Sequence, residues 1–454
     1  MRERRGEQVY VNRYALELSG LTVHRFERDG PGLTKSLPTA GARLAIFSSW
    51  VYTVPKDDRG VRAMQEKYLA WGRVKNKMRE ITAYGNARKA EIGAEKVFDF
   101  SLGSPSAPVP EAVTEAMLAA LEREDCCEVT PQEGLPEFRR AVAEDLNRRY
   151  GLGVDPAYIH VATGAAGSLA VSIHALLKAG EEAIVLAPFF SEYRVFIEGA
   201  GGVVVPVGAD ETLQPDLAAF KAAVTERTRL VLVNTPNNPS GVVLSEESLA
   251  AMGRILTEAQ ARYGHAIYMV SDEPYRELLY ERTAIPCVLN AYDNSILCYS
   301  YSKSLSLPGE RIGYLALNSR MAARDEVFAA VKVAARALGY TGAPALMQRS
   351  LIGCLGMTAD VSLYKHNRDL LYEGLTALGF SCVKPEGAFY LFMKAPIEDA
   401  EAISDAARKY ELLLVPSDGF GVPGYLRLAY CVPTATIERS LPAFRKLAEE
   451  YGLV

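Results

Sequence analysis

An α/β fold, with a large, mostly parallel sheet covered by helices and a smaller α+β unit after it, is what three observations in this sequence predict. Short β-branched runs alternate with helical stretches from about residue 98 onward, the pattern of a parallel sheet built with crossover helices. At 454 residues, 49% of them hydrophobic, the chain can fill more than one core. After two long helical stretches the alternation gives way to a few short strands and one last helix, which suits a separate α+β unit.

Residues 1–60 are rich in arginine and broken by Gly20, Gly30, Pro31, Gly32, Pro38 and Gly41. They read as a weakly structured N-terminal extension, a targeting arm, or a stretch upstream of the original coding start. A helical pattern follows over 61–94, and 97–102 (VFDFSL) reads as extended chain. Residues 112–123 and 135–150 are helical by spacing and by their Ala, Glu, Arg and Leu content. Strands are expected at 183–186, 203–207, 230–233, 267–270, 296–299 and 312–317, and helices at 169–177 and 245–263. Long helices at 322–337 and 358–378 are expected to lead out of the sheet domain. Strands near 389–393, 412–415 and 426–430 and a helix at 436–450 complete the smaller unit. The expected division is an extension (1–60), a small domain (61–105 with 335–454) and a large domain (106–334).

A net charge of -5 gives no reason to expect a nucleic-acid or polyanion partner. Seven cysteines without paired metal-ligand spacing argue for free thiols in a reducing compartment, with adjacent Cys126 and Cys127 packed or idle. His24, His160, His174, His265 and His366 form no metal-like cluster, so no metal is expected. No apolar run is long enough to span a bilayer, and the apolar patch 44–54 comes too late for a secretory signal. The expectation is a cytoplasmic protein without a membrane partner.

The chemistry concentrates in SYSKSLSLPGERIGY, residues 300–314. Lys303 lies among the hydroxyls of Ser300 and Ser302, and Arg311 can grip a phosphate through two parallel hydrogen bonds. An amine with a lowered pKa suits a Schiff base, so the segment reads as an anchor for a phosphorylated aldehyde such as pyridoxal phosphate. A surface lysine in a serine-rich loop is the bland alternative.

Three strands in succession run into polar loops: RLVLV into NTPNNPSG, AIYMV into SDEPYR, and SILCY into SYSK. Ligands sit at the carboxyl ends of such strands, so parallel strands would bring Asn238, Asp272 and Lys303 to one rim. Pyridoxal chemistry needs a carboxylate beside the ring nitrogen, a role for Asp272, while Tyr275 and Asn238 could donate to the phenolate oxygen. A turn or cap role is open for both Asp272 and Asn238. In VATGAAGSLAV, a strand-to-helix junction of small residues leaves the N–H groups of Gly164, Ala165 and Ala166 free for a phosphate. Phe190 serves either as a stacking ring or as core.

Together, SYSKSLSLPGERIGY, PNNPSG, SDEPYR and YLRLAY resemble the fold-type I pyridoxal-phosphate-dependent aminotransferases of class I/II, from about residue 98 to the end. The resemblance implies that the large domain carries pyridoxal 5'-phosphate, with Lys303 as the Schiff-base lysine and Asp272 on the pyridinium. It implies Asn238 and Tyr275 on the phenolate oxygen, Phe190 on the ring, and Ser300, Ser302, Arg311, Ala165 and Ala166 on the phosphate. Arg427 in YLRLAY looks like the receiver of the substrate carboxylate, with the loop at Gly103 closing from the other side. The family's asparagine loop is altered to Pro239, Ser240, Gly241. Val129 stands where many relatives carry a tyrosine that reaches the partner subunit's phosphate. The implied activity is transamination between an L-amino acid and a 2-oxo acid by a homodimer, aspartate- or aromatic-type donors with 2-oxoglutarate being the family's common pattern. A carbon–sulfur β-lyase or a decarboxylase could use the same groups. A ligand-sensing regulator would need a DNA-binding module, and residues 1–60 show no helix-turn-helix pattern.

Overall fold

The computed structural model describes residues 77–454 without a break, together with residues 68, 71 and 72 and five short strands upstream. Residues 1–76 and 77–454 form two compact units. In the first, β1 (Gln8–Val11), β2 (Tyr14–Glu17) and β3 (Thr22–Arg25) make an antiparallel sheet, and β4 (Ala42–Phe47) pairs with β5 (Trp50–Pro55). The extension expected for residues 1–60 thus carries regular backbone in several places, and its Gly and Pro breaks fall between these strands. Most of residues 61–76 lie outside the described residues, so the helix expected over 61–94 is described as Lys77–Ile92.

The second unit opens with that helix and β6 (Phe98–Asp99). Its main sheet holds β7 (Ile159–Ala162), β8 (Glu182–Leu186), β9 (Val203–Val207), β10 (Thr228–Asn234), β11 (Tyr268–Asp272), β12 (Ser295–Ser300) and β13 (Gly313–Leu317). The spatial order is β7-β13-β12-β11-β10-β8-β9. All run parallel except β13, which is antiparallel to both neighbours. Between β12 and β13 the only helix is the single turn Tyr301–Ser304, so the chain reverses instead of crossing over.

Helices cover both faces, which is why the inner strands are continuously apolar and not alternating. Ile184, Val231, Val233, Met269 and Leu297 face one core, while Ala183, Val185, Leu230, Leu232, Val270 and Ile296 face the other. The helix Arg324–Ala337, expected to lead away from the sheet, instead packs along Gly164–Leu176. Its Val327, Phe328, Val331, Ala334 and Ala335 are buried in the same cluster as Leu169 and Ile173.

Beyond it, β14 (Tyr390–Lys394), β15 (Leu412–Leu413), β16 (Val415–Pro416) and β17 (Tyr425–Ala429) form the smaller sheets. The order is β14-β17-β16, antiparallel, and β15 pairs in parallel with β6. Phe100, Tyr364, Leu371, Phe389, Leu428 and Phe444 share their core with the helices Val361–Ala377 and Thr434–Glu450. The β6–β15 pairing continues through Phe100, whose carbonyl accepts from Ala429 N at 2.8 Å, and so lays residues 100–103 beside β17. Among the described residues, no helix is long and apolar enough to cross a membrane.

Candidate active site

Strand register decides which residues meet. Asn234, Asp272 and Cys298 are side by side at the carboxyl ends of β10, β11 and β12, and Ser300 pairs with Gly313, which pairs with Ala162 at the end of β7. Asn238, Asp272, Lys303 and the junction at Gly164 therefore follow strands that end on one rim, where open α/β sheets bind ligands.

Lys303 occupies the one-turn helix after β12, which Ser300 caps by accepting from Ser302 N at 3.2 Å. Its Nζ donates to the Gly103 carbonyl at 2.7 Å and lies 5.5 Å from the centre of the Phe389 ring. Burial brings the amine down to about 8; Cys431 opposes this, and the positive charges of Arg311 and Arg427 reinforce it. An appreciable neutral, nucleophilic fraction therefore exists near neutral pH.

Asp272 is buried, and its Oδ2 accepts from the Tyr193 hydroxyl at 2.6 Å. Its other oxygen, Oδ1, is buried without any partner. Burial raises this carboxyl to about 7 against the Tyr193 hydrogen bond, with Glu273 adding repulsion. Asn234 braces the neighbourhood: its Nδ2 donates to the Asp272 carbonyl at 2.8 Å and its Oδ1 accepts from Asn238 N at 2.6 Å. Tyr275 is buried with its hydroxyl 2.9 Å from that of Tyr390. Phe190, half-buried, meets Tyr193 edge-on at 5.7 Å.

A second group of polar atoms lies around the start of Gly164–Leu176. Arg311 Nη1 donates to Ser302 Oγ at 3.4 Å and Nη2 to the Thr163 carbonyl at 3.3 Å, while the Ser300 and Ser302 hydroxyls are 2.8 Å apart. Gly164 has φ 76°, and a Cβ there would come 2.8 Å from Arg311 Nη2, so only glycine lets the guanidinium close on the helix start. Arg311 itself has φ 52°, a left-handed backbone that costs a side-chain-bearing residue about 1 kcal/mol or more. Unpaired N–H groups of the first helical turn, two hydroxyls and a guanidinium make an anion cradle. Ala165 is buried at its edge, whereas the Ala166 side chain is exposed.

Arg427 lies on β17, the middle strand of its sheet, and is 2% exposed. Its Nη2 donates to the Ser101 carbonyl at 2.6 Å and its Nη1 to Asn238 Oδ1 at 3.3 Å, while Nε is buried without a partner. A buried guanidinium held only by neutral acceptors is costly, and burial lowers its pKa. Gly103 is confined by Tyr390, whose hydroxyl a Cβ would meet at 1.9 Å. Tyr193, Tyr390 and Ser101 carry no local signal and join the site only through the fold, whereas Asn234 opens the NTPNNPSG loop and only strand register shows that it braces Asp272. Val129, 98% exposed, is among the most exposed large apolar side chains described.

Known proteins resemble this chain over most of its length. The family model described as aminotransferase class I and II matches residues 95–444. An aspartate/prephenate aminotransferase of Thermus thermophilus is 32% identical over 376 residues, covering 80% of this chain and 94% of the relative. An aspartate aminotransferase of Thermotoga maritima is 30% identical over 361 residues, covering 78% and 91%. Among solved structures, an amino transferase from Eubacterium rectale matches with a TM-score of 0.83 at 43% identity, covering 85% of this chain and 98% of that one. The aspartate aminotransferase from Thermus thermophilus with maleate gives 0.72 at 30% identity, covering 81% and 96%. With a family model matching most of its length and relatives 30% and 32% identical across about four fifths of it, the chain belongs to the class I and II aminotransferases, enzymes that move an amino group between an amino acid and a 2-oxo acid.

Proposed function

We propose that pyridoxal 5'-phosphate is the carrier of the amino group and that the rim residues hold it. The observation that carries this reading is Asp272, a buried carboxylate whose Oδ1 has no partner and calls for a cationic N–H. The cofactor supplies a carbonyl carbon that takes up nitrogen and a protonated ring that draws electrons from the carbon losing a proton.

In this reading, Asp272 keeps the ring nitrogen protonated, with Tyr193 fixing its far oxygen. Asn238 and Tyr275 donate to the phenolate oxygen, and Phe190 covers the ring. Ser300, Ser302, Arg311 and the N–H groups of Ala165 and Ala166 neutralise the phosphate. Arg427 exchanges the Ser101 carbonyl for the substrate carboxylate, a charge-assisted pair in place of a neutral one, with Gly103 closing over it. Lys303 Nζ, released from the Gly103 carbonyl, is the nucleophile that holds the cofactor and then the base that moves a proton from the substrate α-carbon.

We further propose a cytoplasmic homodimer. All seven cysteines are free thiols, and Leu118, Leu121 and Val129 leave apolar surface exposed for a second copy. The large cofactor-binding domain is assigned to 106–334 together with Ala345–Leu351, which joins the main-sheet core, and the small domain to 77–105 with the residues from Val361 on. Protein charged with pyridoxal 5'-phosphate is expected to show a visible band that an L-amino acid bleaches and a 2-oxo acid restores. The Lys303→Ala protein is expected to lose about a thousandfold in turnover. Wild-type turnover in that variant would refute the role of Lys303. Release of pyruvate and ammonia from cystathionine without any oxo acid would make the enzyme a lyase.

A further inference from the structure

The sides of Arg427 that its hydrogen bonds leave open are walled by aromatic and thioether groups. The guanidinium lies 4.9 Å from the centre of the Tyr390 ring and 5.3 Å from that of Phe420. Met78 Sδ stands 3.8 Å from Nη2, next to the unpartnered Nε that completes this edge of the fork. Met78 belongs to the first turn of Lys77–Ile92 and packs against the cluster that contains Ile81, Val242, Phe392 and Phe420.

Several cations close by in the chain are committed elsewhere. Lys77, adjacent to Met78, pairs with Glu401 at 2.6 Å and Asp405 at 3.4 Å, and Lys89 pairs with Asp99 at 2.5 Å. Among the described residues, the positive charges that act on Lys303 are Arg311, which belongs to the anion cradle, and Arg427 itself. A dicarboxylic amino acid entering this pocket would have to strip water from a second carboxylate beside a thioether and two rings, which is unfavourable without a fixed counter-ion among the described residues. An apolar, aromatic or thioether side chain gains from the same surfaces, and the polarisable sulfur adapts to its shape.

We infer that Met78 is a specificity-determining wall of the substrate pocket, and that this chain takes monocarboxylic amino acids with apolar, aromatic or thioether side chains in preference to aspartate and glutamate. The inference rests on the transamination reading, in which Arg427 receives the α-carboxylate.

The test is single turnover of the protein charged with pyridoxal 5'-phosphate, following loss of the visible band with phenylalanine, methionine, leucine, aspartate and glutamate. Apolar donors are expected to react faster than the acids by about tenfold or more, the scale on which a pocket of this kind discriminates. In Met78→Lys the ratio is expected to move toward the acids by about tenfold, while Met78→Leu, uncharged and of similar volume, keeps the apolar preference. Should Met78→Lys fail to hold the cofactor, Met78→Gln is expected to shift the ratio the same way by about threefold. Faster reaction with the acids in wild type, or an unmoved ratio in a cofactor-loaded Met78→Lys or Met78→Gln protein, overturns the inference while leaving transamination intact. Failure of every amino acid to bleach the band overturns the transamination reading as well.

Discussion

Single residues set the electrostatics of the site. With burial lifting Asp272 to about 7 from 3.8, the folded, cofactor-free protein binds more protons than the unfolded chain between those values. Stability attributable to this group therefore falls as pH rises through that window and stays low above it, by about 4 kcal/mol in full. Cofactor-free Asp272→Asn is expected to unfold at the same denaturant concentration as wild type near pH 4 and at a clearly higher one at pH 8. Equal midpoints at both pH values would show that the carboxylate finds a counter-charge without the cofactor. Lys303 and Asp272 were legible in the sequence because each closes a strand-plus-loop segment whose chemistry is local. Tyr193, which fixes the carboxylate, is 79 positions away from it and carries no such signal.

Among the elements, the turn after β11 bears on the lysine most directly. Arg276 and Glu273 form a buried ion pair at 2.8 Å, with Ser271 Oγ donating to the same carboxylate at 2.7 Å and Arg276 Nη1 donating to the Tyr314 hydroxyl at 3.3 Å. The guanidinium also lies 4.8 Å from the centre of the Tyr299 ring, whose hydroxyl is 2.8 Å from Ser304 Oγ, the residue after Lys303. Breaking a buried pair strands the other charge, so Arg276→Met is expected to lower the unfolding free energy by about 3–5 kcal/mol. Urea denaturation measures it, and a loss below 1 kcal/mol would mean that Glu273 takes up a proton at little cost. The sequence showed the SDEPYR turn but not this role, because Tyr299 and Tyr314 come under it only when β13 reverses beside β12. The short helix Ala345–Leu351 was likewise missed: its Met347 and Leu351 join the main-sheet core, but seven residues carry too little periodicity to be recognised.

At the scale of the whole molecule, the site draws on both parts of the second unit, with Lys303, Asp272 and Arg311 from the main sheet's rim and Arg427, Tyr390 and Gly103 from the smaller one. A ligand that satisfies Asp272 Oδ1 and the anion cradle binds only the folded chain. Pyridoxal 5'-phosphate at a hundred times its dissociation constant is expected to add about 2.7 kcal/mol to stability, read as a rise in thermal midpoint over the cofactor-free protein. No rise would sink the assignment of the cradle. By itself the sequence determined the α/β class, the order of the main elements and the lysine, carboxylate and arginines proposed to carry the chemistry, since periodicity and short motifs are local properties. Only the tertiary structure decided that β13 runs against its neighbours, that Arg324–Ala337 stays on the sheet, and that Met78 and Ser101 reach Arg427 from 349 and 326 positions away. Those outcomes depend on which buried surfaces meet once the chain has closed, and spacing along a single segment does not encode that.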